Sequence, residues 1–172
     1  RIGAAQGPAA FRRQLSNIAW HEDDCSLIDF GDVIVECNDL EAGQELLAER
    51  VAAEIPKVSR LLVVGGGHET AYGSFCGLYK ALGKDCKIGI INLDAHFDLR
   101  CPGDSGASSG TPFYQIQTLV GADDFHYFCL GLAEEANTQA LFHRADSWGV
   151  TYRKDKQVKE NDLEEIKIEL EN

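Results

Sequence analysis

The sequence predicts an α/β fold with three layers, in which a mostly parallel β-sheet lies between helices on its two faces. Strand and helix patterns alternate from about residue 27 to the end of the chain, and this alternation is typical of parallel sheets covered by helices. The 172 residues are 44% hydrophobic and 26% charged, a composition that supports one continuous core. We therefore expect residues 1–172 to belong to a single domain.

Short apolar runs mark the strands, and apolar stripes with capping residues mark the helices. Asn38 with Glu41 predicts a capping box before the first long helix, and Asn161 with Glu164 predicts another before the last. The predicted strands are residues 27–30, 33–35, 60–64, 87–93, 125–132 and 150–152. The predicted helices are residues 38–55, 69–82, 134–148 and the segment after residue 161. Residues 99–111 are predicted to be a loop.

The charge balance excludes some classes of partner. The chain carries 16 Lys and Arg against 28 Asp and Glu, a formal net charge of −12, which opposes binding to nucleic acid and favours a small-molecule substrate. No apolar run approaches the roughly 20 residues of a membrane-spanning helix, and the N-terminus lacks an export pattern. The six cysteines include no Cys-x-x-Cys pair, as is typical of reduced thiols. We therefore expect a cytoplasmic protein that does not associate with membranes.

The sequence starts at Arg1 and contains no methionine. We interpret this as a sign of missing pieces: the chain is a fragment, or modified methionines are left out of the written sequence and some spacings are a residue short. The chain also stops on a predicted helix, where an alternating fold next supplies a strand. We expect the C-terminal part of the fold to lie beyond residue 172.

The most informative segment is the apolar run 88–93, which ends in the sequence DAHFD. Residues at alternate positions of an extended segment lie on one face, so we expect Asp94, His96 and Asp98 to converge. Carboxylates with an imidazole suit Mn, Fe or Zn, and carboxylates packed this closely repel one another without a compensating cation. The pattern predicts a metal-dependent hydrolase.

A second strand end carries the glycine-rich turn GGGHE at residues 65–69. Its glycines match neither the G-x-G-x-x-G pattern nor a P-loop, so we do not expect a nucleotide. Glycines let the backbone turn sharply at the carboxyl end of a strand, the edge where open α/β sheets bind ligands. We expect His68 to join Asp94, His96 and Asp98 as a fourth metal ligand.

Several segments resemble the arginase/agmatinase/formimidoylglutamase family of binuclear manganese hydrolases. Residues 65–69 (GGGHE), 92–100 (NLDAHFDLR) and 108–113 (SSGTPF) carry the resemblance, and Asp-Ala-His-x-Asp is specific for the family. Residues 1–8 and 137–142 resemble its N-terminal segment and a later helix. The resemblance thus extends over essentially the whole chain, and it implies an arginase-like fold and a homo-oligomer.

The resemblance also implies roles for individual residues around two Mn²⁺ ions. His68 and Asp98 bind one ion, His96 binds the other, and Asp94 bridges them. The catalytic nucleophile is a metal-bridging hydroxide held by Asp94 and Asp98. The family's other metal-binding motif, Asp-x-Asp after a later strand, is absent from residues 1–172, so the implied function belongs to the complete protein.

Departures from arginases indicate which branch of the family the chain resembles. Arginases have a catalytic histidine at the position of Ser109, whereas Gly67, Glu69, Arg100 and the sequence SGTPF resemble the formimidoylglutamases of histidine degradation. That branch implies hydrolysis of N-formimidoyl-L-glutamate to L-glutamate and formamide, with Arg100, Ser109 and Thr111 orienting the substrate. A guanidinium is suited to gripping one of the two substrate carboxylates, although a surface ion pair is the alternative role for Arg100.

Two alternative functions remain open. An agmatinase or other guanidino-compound hydrolase with an unusual third segment fits the same motifs, and only a panel of substrates separates these activities. A non-catalytic fragment or pseudoenzyme would keep the fold without the ions. The complete set of Asp94, His96 and Asp98 argues against the latter, and metal content after gentle purification discriminates.

Overall fold

The computed structural model describes most of the chain, namely residues 3–21, 23–35, 39–104, 106–159 and 162–171. The chain forms two compact units, Arg1–Lys84 and Asp85–Asn172. That residues 1–172 form a single domain stays a prediction. None of the helices in the described ranges combines the length and the apolar character needed to cross a membrane.

The described part of the first unit contains three α-helices, which are α1 (Gly7–Leu15), α2 (Leu40–Glu54) and α3 (Thr70–Leu82). Helices α2 and α3 confirm two predicted helices, whereas α1 was not predicted. Pro8 lies in the first turn of α1. A proline is accepted there because the N–H that it lacks has no partner inside the helix.

Capping and helix-terminating residues set the ends of α2 and α3. Asp39 rather than Asn38 caps α2, since its carboxylate accepts the N–H of Ala42 at 3.0 Å, and Asn38 lies outside the described residues. Pro56 follows α2 in a short 3-10 turn. Gly83 ends α3 with a φ of 83°, a left-handed conformation that glycine adopts without strain.

Helices α2 and α3 approach each other closely because α3 has glycine at two contact positions. A Cβ on Gly73 would lie 2.7 Å from the carbonyl oxygen of Gln44, and one on Gly77 would lie 2.5 Å from that of Ala48. Larger residues would therefore force the helices apart. The side-chain amide of Gln44 also donates to the carbonyl of Glu69 at 2.9 Å, which fixes the turn before α3.

Three strands predicted in the first unit, residues 27–30, 33–35 and 60–64, are wrong, because the described backbone there is irregular. A β-strand needs a partner for its backbone N–H and C=O groups and burial of at least one face. Ile34 and Leu62 in these runs are 71% and 72% exposed. The sheet of the described residues draws all three of its strands from the second unit.

The sheet of the second unit contains β1 (Gly89–Leu93), β2 (His126–Leu132) and β3 (Thr151–Lys154), in the order β1-β2-β3. Both pairs are parallel, and the strands confirm the last three that the sequence predicts. The central strand β2 is buried along most of its length, as expected for a parallel strand covered on both faces. The carboxyl ends of all three strands lie at one edge.

Ile91 and Leu93 of β1 are 56% and 78% exposed, but helices pack on both faces of the rest of this sheet. They are α4 (Pro112–Val120), α5 (Gln139–Ser147) and α6 (Leu163–Glu171). Phe113 of α4 stacks on Tyr127, with ring centroids 4.4 Å apart. Ile166 of α6 packs with Phe128 and Leu130, whose side chains point to the opposite face of the strand. The second unit therefore has helix, sheet and helix layers of its own.

The helix predicted at residues 134–148 is interrupted. A 3-10 turn at Glu134–Ala136 is separated from α5 by two extended residues, the first of which is Asn137, with φ −123° and ψ 135°. The side chain of Asn137 bonds to backbone groups elsewhere in the unit, and such bonds compete with helix formation. The cap predicted for the last helix, Asn161, lies outside the described residues.

Candidate metal centre

The acidic loop, residues 94–98, leaves the carboxyl end of β1. The N–H of Asp94 donates to the carbonyl of Leu130 at 3.0 Å, and the N–H of Ala133 donates to the carbonyl of Ala95 at 3.0 Å. These bonds continue the pairing of β1 with β2 beyond the strands. The acidic loop is therefore anchored at the edge of the sheet where α/β proteins bind ligands.

The acidic loop is a turn and not an extended segment, so the predicted sharing of one strand face is wrong. Oδ1 of Asp94 accepts the backbone N–H of His96 at 2.9 Å, which forms an Asx turn directly after the strand. Asp98 has a φ of 46°, a left-handed conformation that Asp tolerates better than most residues. The side chains of the loop are therefore arranged by a tight bend.

Two carboxylates meet in the acidic loop. Asp94 and Asp98 are partly buried and offer oxygen atoms within 4.8 Å of each other. The exposed His96 directs its Nδ1 towards Oδ1 of Asp94, at 3.1 Å. Two carboxylates at this separation repel each other without a cation, and carboxylate oxygens are suited to Mn²⁺. His96 does not offer a donor atom within 4.8 Å of both carboxylates, so its role as a ligand stays a prediction. The donor set therefore fits an ion such as Mn²⁺.

A buried polar floor, consisting of Asn92, Tyr127 and Cys129, supports the backbone of the acidic loop. The hydroxyl of Tyr127 donates to the carbonyl of Phe97 at 3.0 Å, and the amide of Asn92 donates to that hydroxyl at 2.9 Å. Sγ of Cys129 lies 3.6 Å from the carbonyl of His96. Sequence reasoning missed these residues, although a polar side chain inside an apolar strand run, as at Asn92, is a signal that could have found them.

Burial keeps the polar floor protonated. Burial, together with the nearby carboxylates of Asp94 and Asp98, raises the pKa of the Cys129 thiol to about 11. Burial also raises the pKa of the Tyr127 hydroxyl well above its ordinary value. Both groups keep their protons at neutral pH and remain hydrogen-bond donors to the loop. The Cys129 thiol is therefore a poor nucleophile despite its position.

Apolar residues beside the predicted ligands anchor the acidic loop in the core. Phe97 and Leu99 are both 0% exposed. The ring of Phe97 meets the rings of Phe142 and Tyr152 edge to face, with centroids 5.1 Å and 5.0 Å away. Arg144 donates to the carbonyl of Leu99 at 2.6 Å. The predicted ligands thus alternate with buried anchors along this stretch of chain.

The predicted substrate-binding residues lie on a connected pair of loop segments. The N–H of Arg100 donates to the carbonyl of Gly110 at 2.9 Å, which brings the exposed Arg100 beside the segment that carries the partly buried Ser109. Thr111 is only 3% exposed, and its hydroxyl lies 2.8 Å from Oε1 of Gln115. The Thr111 hydroxyl therefore helps to close the turn before α4, and its contact with a substrate stays a prediction.

His68, the remaining predicted ligand, belongs to the first unit and is partly buried. Its carbonyl accepts the N–H of Ala71 at 3.0 Å, so it lies in the turn that opens α3. The carboxylate of Glu69 accepts the N–H of Gly67 at 3.0 Å, and the hydroxyl of Thr70 donates to the carbonyl of Gly67 at 3.0 Å. Coordination of a metal by His68 together with the acidic loop stays a prediction.

Comparison with known proteins decides the family. The model of the arginase family matches residues 1–172. The chain belongs to the arginase family. This arginase-family chain is 50% identical over 165 residues to the formimidoylglutamase of Aeromonas salmonicida, which covers 95% of the chain and 52% of the relative. It is 48% identical over 172 residues to the formimidoylglutamase of Chromobacterium violaceum, with coverages of 99% and 54%. The chain spans about half the length of these curated relatives.

Solved structures of other arginase-family proteins confirm the predicted α/β fold. Trypanosoma cruzi formiminoglutamase with Mn²⁺ superimposes with a TM-score of 0.79 at 23% identity, covering 91% of this chain and 54% of that one. Bacillus subtilis arginase superimposes with a TM-score of 0.69 at 25% identity, covering 90% and 57%. The parallel sheet with surrounding helices is therefore the fold of this arginase-family chain.

Proposed function

We propose that the full-length protein, meaning the natural protein that carries this sequence, hydrolyses N-formimidoyl-L-glutamate to L-glutamate and formamide. The observation that carries the reaction class is the pair of carboxylates, Asp94 and Asp98, within 4.8 Å of each other at the ligand-binding edge of the sheet in an arginase-family chain. The choice of substrate is supported by identities of 48% and 50% to formimidoylglutamases.

The proposed cofactor is a pair of Mn²⁺ ions. His68 and Asp98 are the proposed ligands of one ion and His96 of the other, with Asp94 bridging. The donor set of the acidic loop supports this assignment, as does the Mn²⁺ in T. cruzi formiminoglutamase. When bound, the ions supply Lewis-acid stabilisation of developing negative charge and a nucleophile that is available at neutral pH.

The residues of the chain position the substrate. Arg100 grips one substrate carboxylate, because a guanidinium offers paired donors to two carboxylate oxygens. Ser109 lies on the segment to which the Arg100 backbone is bonded, so its hydroxyl is the proposed second contact. Thr111 acts on the substrate through this segment, since its own hydroxyl bonds to Gln115. A cytoplasmic location and a homo-oligomeric state stay predictions from the sequence.

A substrate panel tests the proposal. The full-length protein, stripped of metal and reloaded with Mn²⁺, is expected to release formamide and glutamate from N-formimidoyl-L-glutamate. Removal of the metal is expected to abolish this release. Arginine and agmatine are expected to react at least about 100-fold more slowly, because arginine has one carboxylate and agmatine has none, so that polar groups built to bind two carboxylates are left unpaired. Turnover of arginine or agmatine instead would assign another branch of the family. A purified protein that holds no metal would support a pseudoenzyme.

Replacing Arg100 with Gln is expected to lower kcat/KM for N-formimidoyl-L-glutamate by about 10- to 100-fold, mainly through KM, since a hydrogen bond between charged groups contributes about 1.5–3 kcal/mol. Arg13→Gln is the matched control, because Arg13 is an exposed arginine of α1. Two analogues of the substrate, each lacking one of its two carboxylates, show which carboxylate Arg100 grips. The fall in kcat/KM should be smaller for the analogue that lacks this carboxylate. An equal fall for both analogues and for the substrate would contradict the assignment.

A further inference from the structure

We propose that Asn137 is a positioning residue for the metal centre: it holds the acidic loop in the shape that directs its ligands towards Mn²⁺. The inference rests on the proposed function, because it requires that the acidic loop binds Mn²⁺. Asn137 lies outside the acidic loop in sequence, is 9% exposed and belongs to the same compact unit. It interrupts what the sequence predicts as a continuous helix.

The side chain of Asn137 grips the acidic loop at two peptide groups. Its Nδ2 donates to the carbonyl of Ala95 at 2.8 Å, and its Oδ1 accepts the N–H of Phe97 at 3.0 Å. Nδ2 also donates to the carbonyl of Ala133 at 2.8 Å, just after the end of β2. The two bonds to the loop lie on either side of His96, so one amide fixes the direction of the backbone between Asp94 and Asp98.

The carboxamide of Asn137 bonds to all three partners, because it combines two N–H donors with one acceptor. Two of them are carbonyl oxygens, each of which also accepts one backbone N–H, and the third is an N–H that needs an acceptor. An aspartate would keep the acceptor for Phe97 but would place a carboxylate against the carbonyls of Ala95 and Ala133. An alanine would remove the acceptor of the N–H of the buried Phe97, which is costly.

The shape that Asn137 maintains is one that the acidic loop does not favour by itself. Asp98 has a left-handed φ of 46°, and its carboxylate lies within 4.8 Å of that of Asp94. Both features cost free energy and persist only when the surroundings hold them. The polar floor holds the carbonyls of His96 and Phe97, whereas Asn137 holds the carbonyl of Ala95 and the N–H of Phe97.

Mn²⁺ affinity distinguishes positioning from a merely structural role. Asn137→Ala and Asn137→Asp would be made in the full-length protein, and free Mn²⁺ would be titrated by electron paramagnetic resonance alongside measurement of Tm. Both variants are expected to bind Mn²⁺ about 10- to 100-fold more weakly, the usual loss when a group that orients metal ligands is removed. Leu141→Ala is the control, since Leu141 is a buried residue of α5. It should lower Tm at least as much as the Asn137 variants while keeping wild-type affinity.

Each outcome decides the proposal. Wild-type Mn²⁺ affinity in both Asn137 variants would overturn it, as would a loss of affinity in Leu141→Ala that matches its loss of Tm. A wild-type protein that binds Mn²⁺ but releases no formamide would overturn the proposed substrate and leave the role of Asn137 intact, provided that the variants bind Mn²⁺ weakly. A wild-type protein that binds no Mn²⁺ would overturn both.

Discussion

Asp98→Asn in the full-length protein is expected to lower kcat/KM for N-formimidoyl-L-glutamate by about 10³-fold or more, with Mn²⁺ binding weakened in parallel. Asn keeps the size of the side chain and tolerates the left-handed φ of 46° at this position, but it supplies no negative charge to the metal. Loss of several kcal/mol of electrostatic stabilisation corresponds to this fall in rate. Steady-state kinetics and Mn²⁺ titration measure the two effects.

The control for Asp98→Asn is Asp123→Asn. Asp123 is exposed and precedes β2, so it lies at the amino ends of the strands, opposite the acidic loop. Asp123→Asn therefore removes the same charge at a distance from the proposed metal centre. An active Asp98 variant with wild-type Mn²⁺ affinity would remove Asp98 from the ligand set.

Phe97→Ala is expected to lower the free energy of unfolding by about 3–5 kcal/mol, the usual cost of removing a fully buried aromatic ring. Phe97 is 0% exposed and its ring meets those of Phe142 and Tyr152, so truncation leaves a cavity and removes both aromatic contacts. Urea denaturation of the metal-free full-length protein measures the effect.

Leu119→Ala is the control for Phe97→Ala. Leu119 lies in α4 and is 46% exposed, so its truncation should cost less than about 1 kcal/mol, as surface changes usually do. A cost below about 1 kcal/mol for Phe97→Ala as well would show that the acidic loop is not anchored through this ring. The position of the acidic loop would then depend on the hydrogen bonds that it makes with Asn137 and the polar floor.

Sequence reasoning located the carboxyl end of β1 and the residues that follow it, because both signals are local. A continuous apolar run that ends abruptly in charged groups indicates a buried strand and its exit. The runs at residues 27–30, 33–35 and 60–64 are also mainly apolar, yet they form no strand in the structure. Strand formation needs a partner, and a sequence does not state which partner is present.

The convergence of Asp94 and Asp98 was predicted for the wrong reason. Spacing at positions i, i+2 and i+4 suggested an extended segment, whereas Asp94 bends the chain by accepting the N–H of His96. A carboxylate can serve as a metal ligand and as a turn-forming acceptor, and spacing does not distinguish these uses. The interruption of the predicted helix by Asn137 was missed for a similar reason, since its three partners are recognisable only in the folded chain.

By itself, the sequence determined the α/β class, the order of the three strands along the chain and the identity of the charged residues at the end of β1, because hydrophobic periodicity and residue chemistry are properties of short segments. Only the tertiary structure decided which groups hold those residues. Tyr127 and Asn137 reach the acidic loop from other segments, and Asn92 bonds to the hydroxyl of Tyr127. Buried polar groups must find partners wherever the fold brings donors and acceptors within about 3 Å of one another.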